Sequence, residues 1–367
     1  MRKKTSITSI HCLLMKRSIV FLLLSFSMAL HGQEKVKSDS FTFVFEGKRL
    51  SGMVDVPVGR EPTAMIIIVP GSGKTNMVAG NGFSDLRTRF VQLGIACCVW
   101  DKAGCGKSEG MFDANQPVQN SAQEVISAIK ELQHRKVAGS NKIGLWGHSR
   151  AGWICPLVIA EGPSIAFWIS VSGTDDKETF GYLLEKNFII EGRAENEAKK
   201  LVDEWKNGIN VARHGGTFEE NLKATENLRN DSFYVFMSSN SKPTLEGYVK
   251  WQKKFKTGET IIDDETGLQV YIPGFEQILS KVNCPVLALF GEKDSQVDWR
   301  KTMQLYNRTI GKNPNAELTI KTFFDGNHNI QQCTTGGFRE KLQSRKYCEG
   351  YYETMLTWLS KKNLGKQ

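Results

Sequence analysis

The 367-residue sequence lacks internal repeats, low-complexity tracts beyond residue 32, and any later apolar run of bilayer-spanning length. A membrane helix needs about 20 apolar residues, so none is expected after the N-terminal segment. Charge of one sign is scarce as well. The net charge is +9, but Arg2, Lys3, Lys4, Lys16 and Arg17 stand among the first 32 residues with no acid. The remainder holds 43 basic against 39 acidic residues, an excess of +4, too small for a nucleic-acid footprint. There is no C-x-x-C and no Cys/His spacing of a zinc site, so no metal is expected. Histidine is sparse too, with four after residue 32: His134, His148, His214 and His328.

What is present is ordinary for a folded protein, with 40% hydrophobic and 24% charged residues. Lys16-Arg17 followed by Ile19–Leu30 (IVFLLLSFSMAL) has the order of a secretory signal, with small residues after it. Residues 1–32 are therefore expected to be removed after Ala29 or Gly32, and Met15 is a second possible start. The expected location is periplasmic or extracellular. No stable membrane span is expected once the signal is gone. Of eight cysteines, Cys12 leaves with it. Cys97, Cys98, Cys155 and Cys284 lie in apolar contexts and read as core. Cys333 and Cys348 flank a polar loop and are candidates to pair in an oxidising compartment.

Residues 41–57 alternate around Glu46-Gly47-Lys48, which predicts a β-hairpin. Ala64–Val69 (AMIIIV) is continuously apolar, as a strand buried on both faces must be. Ile95–Trp100, Lys142–Trp146, Ile165–Val171, Val286–Phe290 and Glu317–Phe323 are similar. Helical periodicity falls between them at 83–93, 119–135, 149–160, 298–309 and 351–361. Strands alternating with helices predict an α/β fold with a mostly parallel sheet covered on both faces. Residues 175–281 break the alternation. They are rich in Lys and Glu, and Phe180, Leu183, Leu184, Phe188 and Ile189 recur at helical spacing. The expected organisation is a core of residues 33–174 and 282–367 with a helical cap inserted over 175–281, at the carboxyl ends of the strands.

Chemistry concentrates where the strand Lys142–Trp146 runs into Gly147-His148-Ser149-Arg150-Ala151-Gly152 and then a helix. A serine on so sharp a turn needs small neighbours, and its hydroxyl then stands out at the top of the sheet. This segment resembles the G-x-S-x-G nucleophile elbow of the α/β hydrolases, with Ala151 at the last glycine. The resemblance covers about residues 60–172 and 282–360. It implies the chain order Ser, then acid, then His. His134 precedes the serine, His148 is inside the elbow and His214 lies in the insertion, which leaves His328 as the base. The turn Gly291-Glu292-Lys293-Asp294 after Val286–Phe290 resembles the family's strand-G-x-x-D, so Asp294 is the expected acid. Glu292, Asp298 and Asp325 are the alternatives, Asp298 being more simply a helix N-terminal residue.

Acyl transfer also needs backbone donors for an oxyanion. The resemblance implies the N–H of Arg150 and that of Ser72, in the loop Val69-Pro70-Gly71-Ser72-Gly73. Gly71-Ser72-Gly73-Lys74-Thr75 also looks like part of a phosphate-binding loop, but Ile68 occupies the first glycine position. Gly106-Lys107-Ser108 fails likewise, with Asp101 there. Asp101–Ser108 (DKAGCGKS) resembles the family's D-x-R-G-x-G-x-S turn, with Ala103 where Arg is usual. The implied activity is a secreted serine hydrolase cleaving a small carboxylic ester or other acyl substrate, with Ser149, His328 and Asp294 as the triad and no cofactor. A peptidase, amidase or thioesterase using the same groups is the alternative. The insertion's Phe180, Tyr182, Trp205, Phe233, Tyr234 and Trp251 either line an apolar pocket or form its own core.

Overall fold

The structure is a computed structural model and describes residues 36–114, 116–175, 180–257, 272–343 and 346–364. The expected signal segment, residues 1–32, lies outside the described residues. Eight strands form one sheet: β1 Val36–Phe45, β2 Lys48–Pro57, β3 Ala64–Val69, β4 Ile95–Trp100, β5 Ile143–His148, β6 Phe167–Val171, β7 Pro285–Gly291 and β8 Glu317–Phe323. Their order is β1-β2-β4-β3-β5-β6-β7-β8. The hairpin β1–β2 and the β2–β4 pair are antiparallel, and every other pairing is parallel. The hairpin turns on Glu46 and Gly47, both at positive φ, which matches the twist of the flanking strands.

β3 and β4 are buried along their whole length, so each must be apolar on both faces. Met65, Ile67 and Val69 enter one core layer, and Ala64, Ile66 and Ile68 enter the other. The first layer is covered by α2 (Val118–His134) and α3 (Ala151–Glu161) through Val125, Ile129, Ile154 and Val158. The second is covered by α1 (Ser84–Gln92) and α13 (Tyr351–Lys361) through Leu86, Phe90, Met355 and Leu359. These layers hold Cys97, Cys98, Cys155 and Cys284, all buried.

Between β6 and β7 run seven helices of the described residues. They are α4 Phe180–Ile190, α5 Glu195–Arg213, α6 Phe218–Ala224, α7 Glu226–Asn230, α8 Ser232–Met237, α9 Leu245–Lys256 and α10 Phe275–Ser280. α4, α5, α7 and α8 share a core of their own around Leu184, Phe188, Leu201, Val202, Leu228 and Phe233. Phe180 packs on Trp205, Phe188 on Phe233, and Trp251 on Tyr248 and Phe255. Most of the insertion's aromatics therefore face one another. The remaining elements are α11 Trp299–Arg308, a 3-10 turn at Ile310–Lys312, and α12 Phe338–Lys341. No helix of the described residues is long and apolar enough to cross a membrane.

Candidate active site

The strand order reverses at β3, which pairs with β4 on one side and β5 on the other. In an open parallel sheet the crevice at that reversal, beyond the carboxyl ends of the strands, receives the ligand. The loops after β3 and β5 meet there, and each carries a piece of the site.

Ser149 follows β5 in a left-handed conformation, φ 56°. Its N–H donates to Val171 O at 3.0 Å, and Gly152 N–H donates to Ser149 O at 2.7 Å. The turn is thus pinned to the neighbouring strand and to the head of α3. This conformation strains a residue with a side chain and is worth a functional reading. It also explains why α3 begins at Ala151 and not at Ser149. The small neighbours are steric necessities. A Cβ on Gly147 would lie 2.7 Å from Cys155 Sγ and 3.0 Å from Ala151 Cβ, and one on Gly152 would lie 2.6 Å from Thr174 N. Alanine at position 151 fits this packing and is fully buried.

The expected acid and base follow the last two strands in the chain, β7 and β8. The chain after β8 crosses Gly291 so closely that a Cβ there would meet Asn327 O at 2.3 Å. Lys293 N–H donates to Gly326 O at 2.9 Å. This close approach brings the turn after β7 against the loop carrying His328. His328 Nδ1 lies 2.7 Å from Asp294 Oδ2, with both residues almost fully buried. The other carboxylate oxygen, Oδ1, accepts the N–H groups of Gln296 at 2.8 Å and Val297 at 3.0 Å. Asp294 is therefore fixed at both oxygens, and the imidazole at its Nδ1. Of the alternative acids, Asp298 caps α11 by accepting from Arg300 and Lys301 N–H. Asp325 serves the loop through its backbone oxygen, which accepts from Cys333.

His148, outside the expected triad, also joins this cluster. Its ring packs against that of His328, centroids 5.0 Å apart, and its Nε2 lies 3.1 Å from His328 O. Burial first, and then the charge of His328, lower its pKa to about 3, so near neutrality it is uncharged and Nε2–H donates to that carbonyl. The residue next to Ser149 thus holds the residue bonded to Asp294. Sequence alone offered no signal for this contact, since the two histidines lie 180 positions apart.

The loop after β3 completes the cluster. A Cβ on Gly71 would lie 3.1 Å from both His148 O and Ser149 Cβ, so this backbone passes directly against the elbow. Among the described residues, neither Ser72 N–H nor Arg150 N–H donates to a protein acceptor. The Arg150 side chain is turned away, donating to Ser121 Oγ at 3.0 Å and to Gln116 O. The Asp101–Ser108 turn supports the loop from below. Asp101 Oδ1 accepts Met77 N–H at 2.6 Å, and Lys102 N–H donates to Thr75 Oγ1 at 2.7 Å. Gly104 and Gly106 both have positive φ, as that turn requires.

The other histidines stay apart from this cluster. His134 is exposed on α2, 3.9 Å from Glu131, and His214 bonds Asn210 O within the insertion. Cys333 and Cys348 are both free thiols. Burial, as the first cause, raises them to about 11 and about 12. Among the described residues no group of three or more His, Cys, Asp or Glu side chains is arranged to hold a metal. The insertion reaches the site through α4: Tyr182 Oη–H donates to Asp294 O at 3.0 Å, and Asn187 Nδ2–H to Ser295 O at 3.2 Å. Of the six insertion aromatics singled out in the sequence, Tyr182 is, among the described residues, the one that bonds the Asp294 turn.

A mostly parallel sheet with a serine elbow after β5 and an Asp–His pair after β7 and β8 defines an α/β hydrolase. The family model of X-Pro dipeptidyl-peptidases, the S15 peptidases, matches residues 46–328, and the chain belongs to that family. It is a hydrolase of the serine peptidase and esterase type. Two solved structures share the fold. The esterase Pf2001 of Pyrococcus furiosus aligns over 89% of this chain and 92% of its own, with 14% identity and a TM-score of 0.50. DcsB, solved in complex with its substrate analogue, aligns over 89% of this chain and 99% of its own, with 16% identity and a TM-score of 0.50. No curated protein matches the sequence.

Proposed function

We propose that the protein hydrolyses a small carboxylic ester through an acyl-enzyme on Ser149. Ser149 Oγ attacks the carbonyl carbon while His328 Nε2 takes its proton. Asp294 keeps the Nδ1–H tautomer and stabilises the imidazolium. The N–H groups of Ser72 and Arg150 receive the oxyanion. His328 then returns the proton to the leaving alcohol, and water activated by the same nitrogen releases the acid. The observation that carries this reading is the buried 2.7 Å Asp294–His328 bond, held against the strained Ser149 turn by His148.

A peptidase reading is favoured by the family match. It needs a free acid to receive a substrate amine. The insertion's Glu191 is bonded to Arg339 at 3.0 Å, and Glu197 lies 3.9 Å from Arg193. Glu195 is exposed at the start of α5 and stays a candidate for that role, so the substrate assay decides between the readings. The insertion acts as a cap in this reading, since α4 touches the acid's turn. Turnover of p-nitrophenyl esters of two to sixteen carbons, beside X-Pro p-nitroanilides, separates the readings. The expectation is ester turnover that Ser149→Ala abolishes; faster cleavage of the anilides would replace the ester reading by the peptidase one.

Export is part of the proposal and rests on Lys16-Arg17 and the apolar Ile19–Leu30. N-terminal sequencing of the expressed protein should find a start after Ala29 or Gly32. An intact leader on the mature protein would contradict it.

A further inference from the structure

The glycine loop that offers Ser72 N–H has little to hold it. Among the described residues, the backbone of Gly71–Gly73 is bonded by one group alone, the Lys102 ammonium. Its Nζ donates to Gly71 O at 2.7 Å and to Gly73 O at 3.0 Å. Gly73 adopts φ 94°, and glycines on both sides of Ser72 leave the segment many conformations. We propose, on the serine-hydrolase reading above, that Lys102 is the positioning residue of the oxyanion site, aiming the Ser72 N–H by holding the carbonyls on either side of it.

The argument is geometric. Gly71 C=O and Ser72 N–H belong to one planar trans peptide, in which the two bonds point in opposite directions. Anchoring the oxygen therefore fixes the direction of the N–H. The same loop touches Ser149, since a Cβ at Gly71 would lie 3.1 Å from Ser149 Cβ. Lys102 itself is half-buried, and its own backbone N–H is bonded to Thr75 Oγ1 on the loop. A charged donor on the carbonyl also polarises that peptide and strengthens its N–H as a donor.

The charge on Lys102 should thus matter, and the site makes it titratable. Burial first, then the Arg150 guanidinium at the head of α3, lower its pKa to about 8, opposed by Glu124 of α2 and Cys105 of its own turn. Protonated below that value, the amine polarises the loop; neutral above it, the amine is a weaker donor. A fall in kcat above about pH 8 is the signature expected of this amine.

The test follows kcat and KM on a short p-nitrophenyl ester from pH 6 to 10, together with the rate of labelling by a fluorophosphonate. The proteins are the wild type, Lys102→Met and Lys102→Arg, with Ser149→Ala as background. The wild type should lose kcat as pH rises through about 8. Lys102→Met should lower kcat about 10- to 100-fold with KM within about threefold, and should lack that limb. Lys102→Arg, charged throughout, should restore most of kcat and move the limb beyond pH 10. A Lys102→Met kcat within threefold of wild type, or a limb near pH 8 that persists in Lys102→Arg, overturns the proposal. If Lys102→Met does not fold, the Lys102→Arg profile decides alone. If the wild type is labelled without turning over the ester, labelling rates carry the same comparison. A wild type that reacts with neither probe removes the underlying reading, and the role of Lys102 with it.

Discussion

Replacing Asp294 by Asn separates the acid's electrostatic role from its structural one. Oδ1 accepts two backbone N–H groups, from Gln296 and Val297, and the amide oxygen of Asn can keep both. The turn, and with it the fold, should survive. The amide nitrogen then replaces Oδ2, 2.7 Å from His328 Nδ1, and sets two donors face to face. The imidazole escapes by moving its proton to Nε2, the nitrogen that must accept from Ser149. Both side chains are nearly fully buried, so no solvent substitutes for the lost carboxylate. The wrong tautomer and the uncompensated imidazolium together cost about 10⁴-fold in kcat, or about 5.4 kcal/mol of transition-state stabilisation. Steady-state ester kinetics should find that loss with KM within about threefold and an unchanged melting temperature. A loss below tenfold in the folded variant would refute the assignment of Asp294 and the tautomer argument with it.

Three further outcomes follow from the same contacts. Gly71→Ala places a methyl 3.1 Å from Ser149 Cβ and His148 O, so kcat should drop about tenfold with the melting temperature nearly unchanged; wild-type kcat would contradict this loop placement. Arg87 and Asp55 form a buried ion pair at 2.9 Å under β2, and Arg87→Met leaves the carboxylate uncompensated. Urea unfolding should show a loss of about 3–5 kcal/mol, and a loss under 1 kcal/mol would be inconsistent with a buried pair. His148 binds a proton in the unfolded chain from about pH 6.5 downward but in the folded one only near pH 3. Its neutral form is therefore favoured by folding, and stability falls as pH drops through that window, by up to about 1.4 kcal/mol per pH unit. His148→Gln removes that dependence, so the stability gap between variant and wild type should narrow from pH 7 to 4.5; a constant gap would argue against a buried neutral His148.

Much of this fold was legible in the sequence because its physics is local. β3, β4, β8 and α13 span the residues their apolar pattern predicts. β3 and β4 are buried along their whole length as expected, but β8 is not: it is the edge strand, and of its residues Phe323 alone is buried. β1 begins at Val36 and not at Phe41, because residues 37–40 are exposed and carry no alternation to read. The elbow was legible because its small residues are steric requirements of one turn. The Asp294 turn was legible through its Gly291, whose need for glycine comes from the passing Gly326-Asn327 backbone. What sequence could not supply are contacts made by the fold itself. His148 meeting His328, Lys102 gripping Gly71, and Tyr182 reaching Asp294 join residues 31 to 180 positions apart with no periodicity between them. The insertion's pattern reads as helical, but the starts of its short α6 and α8 are set by the caps Thr217, with Glu220, and Asp231. Of the two readings open for the insertion's aromatics, Phe180, Trp205, Phe233 and Tyr234 follow the second and pack in its own core, where burying them together removes apolar surface from water.

The central claim is that Ser149 is the nucleophile, and covalent labelling tests it most directly. The protein is treated with a fluorophosphonate, digested, and the adduct located by peptide mass spectrometry. The account predicts one adduct, on Ser149 within the β5–α3 turn, absent from Ser149→Ala and slowed in Asp294→Asn. An adduct on another residue, or ester turnover retained by a folded Ser149→Ala, would contradict it.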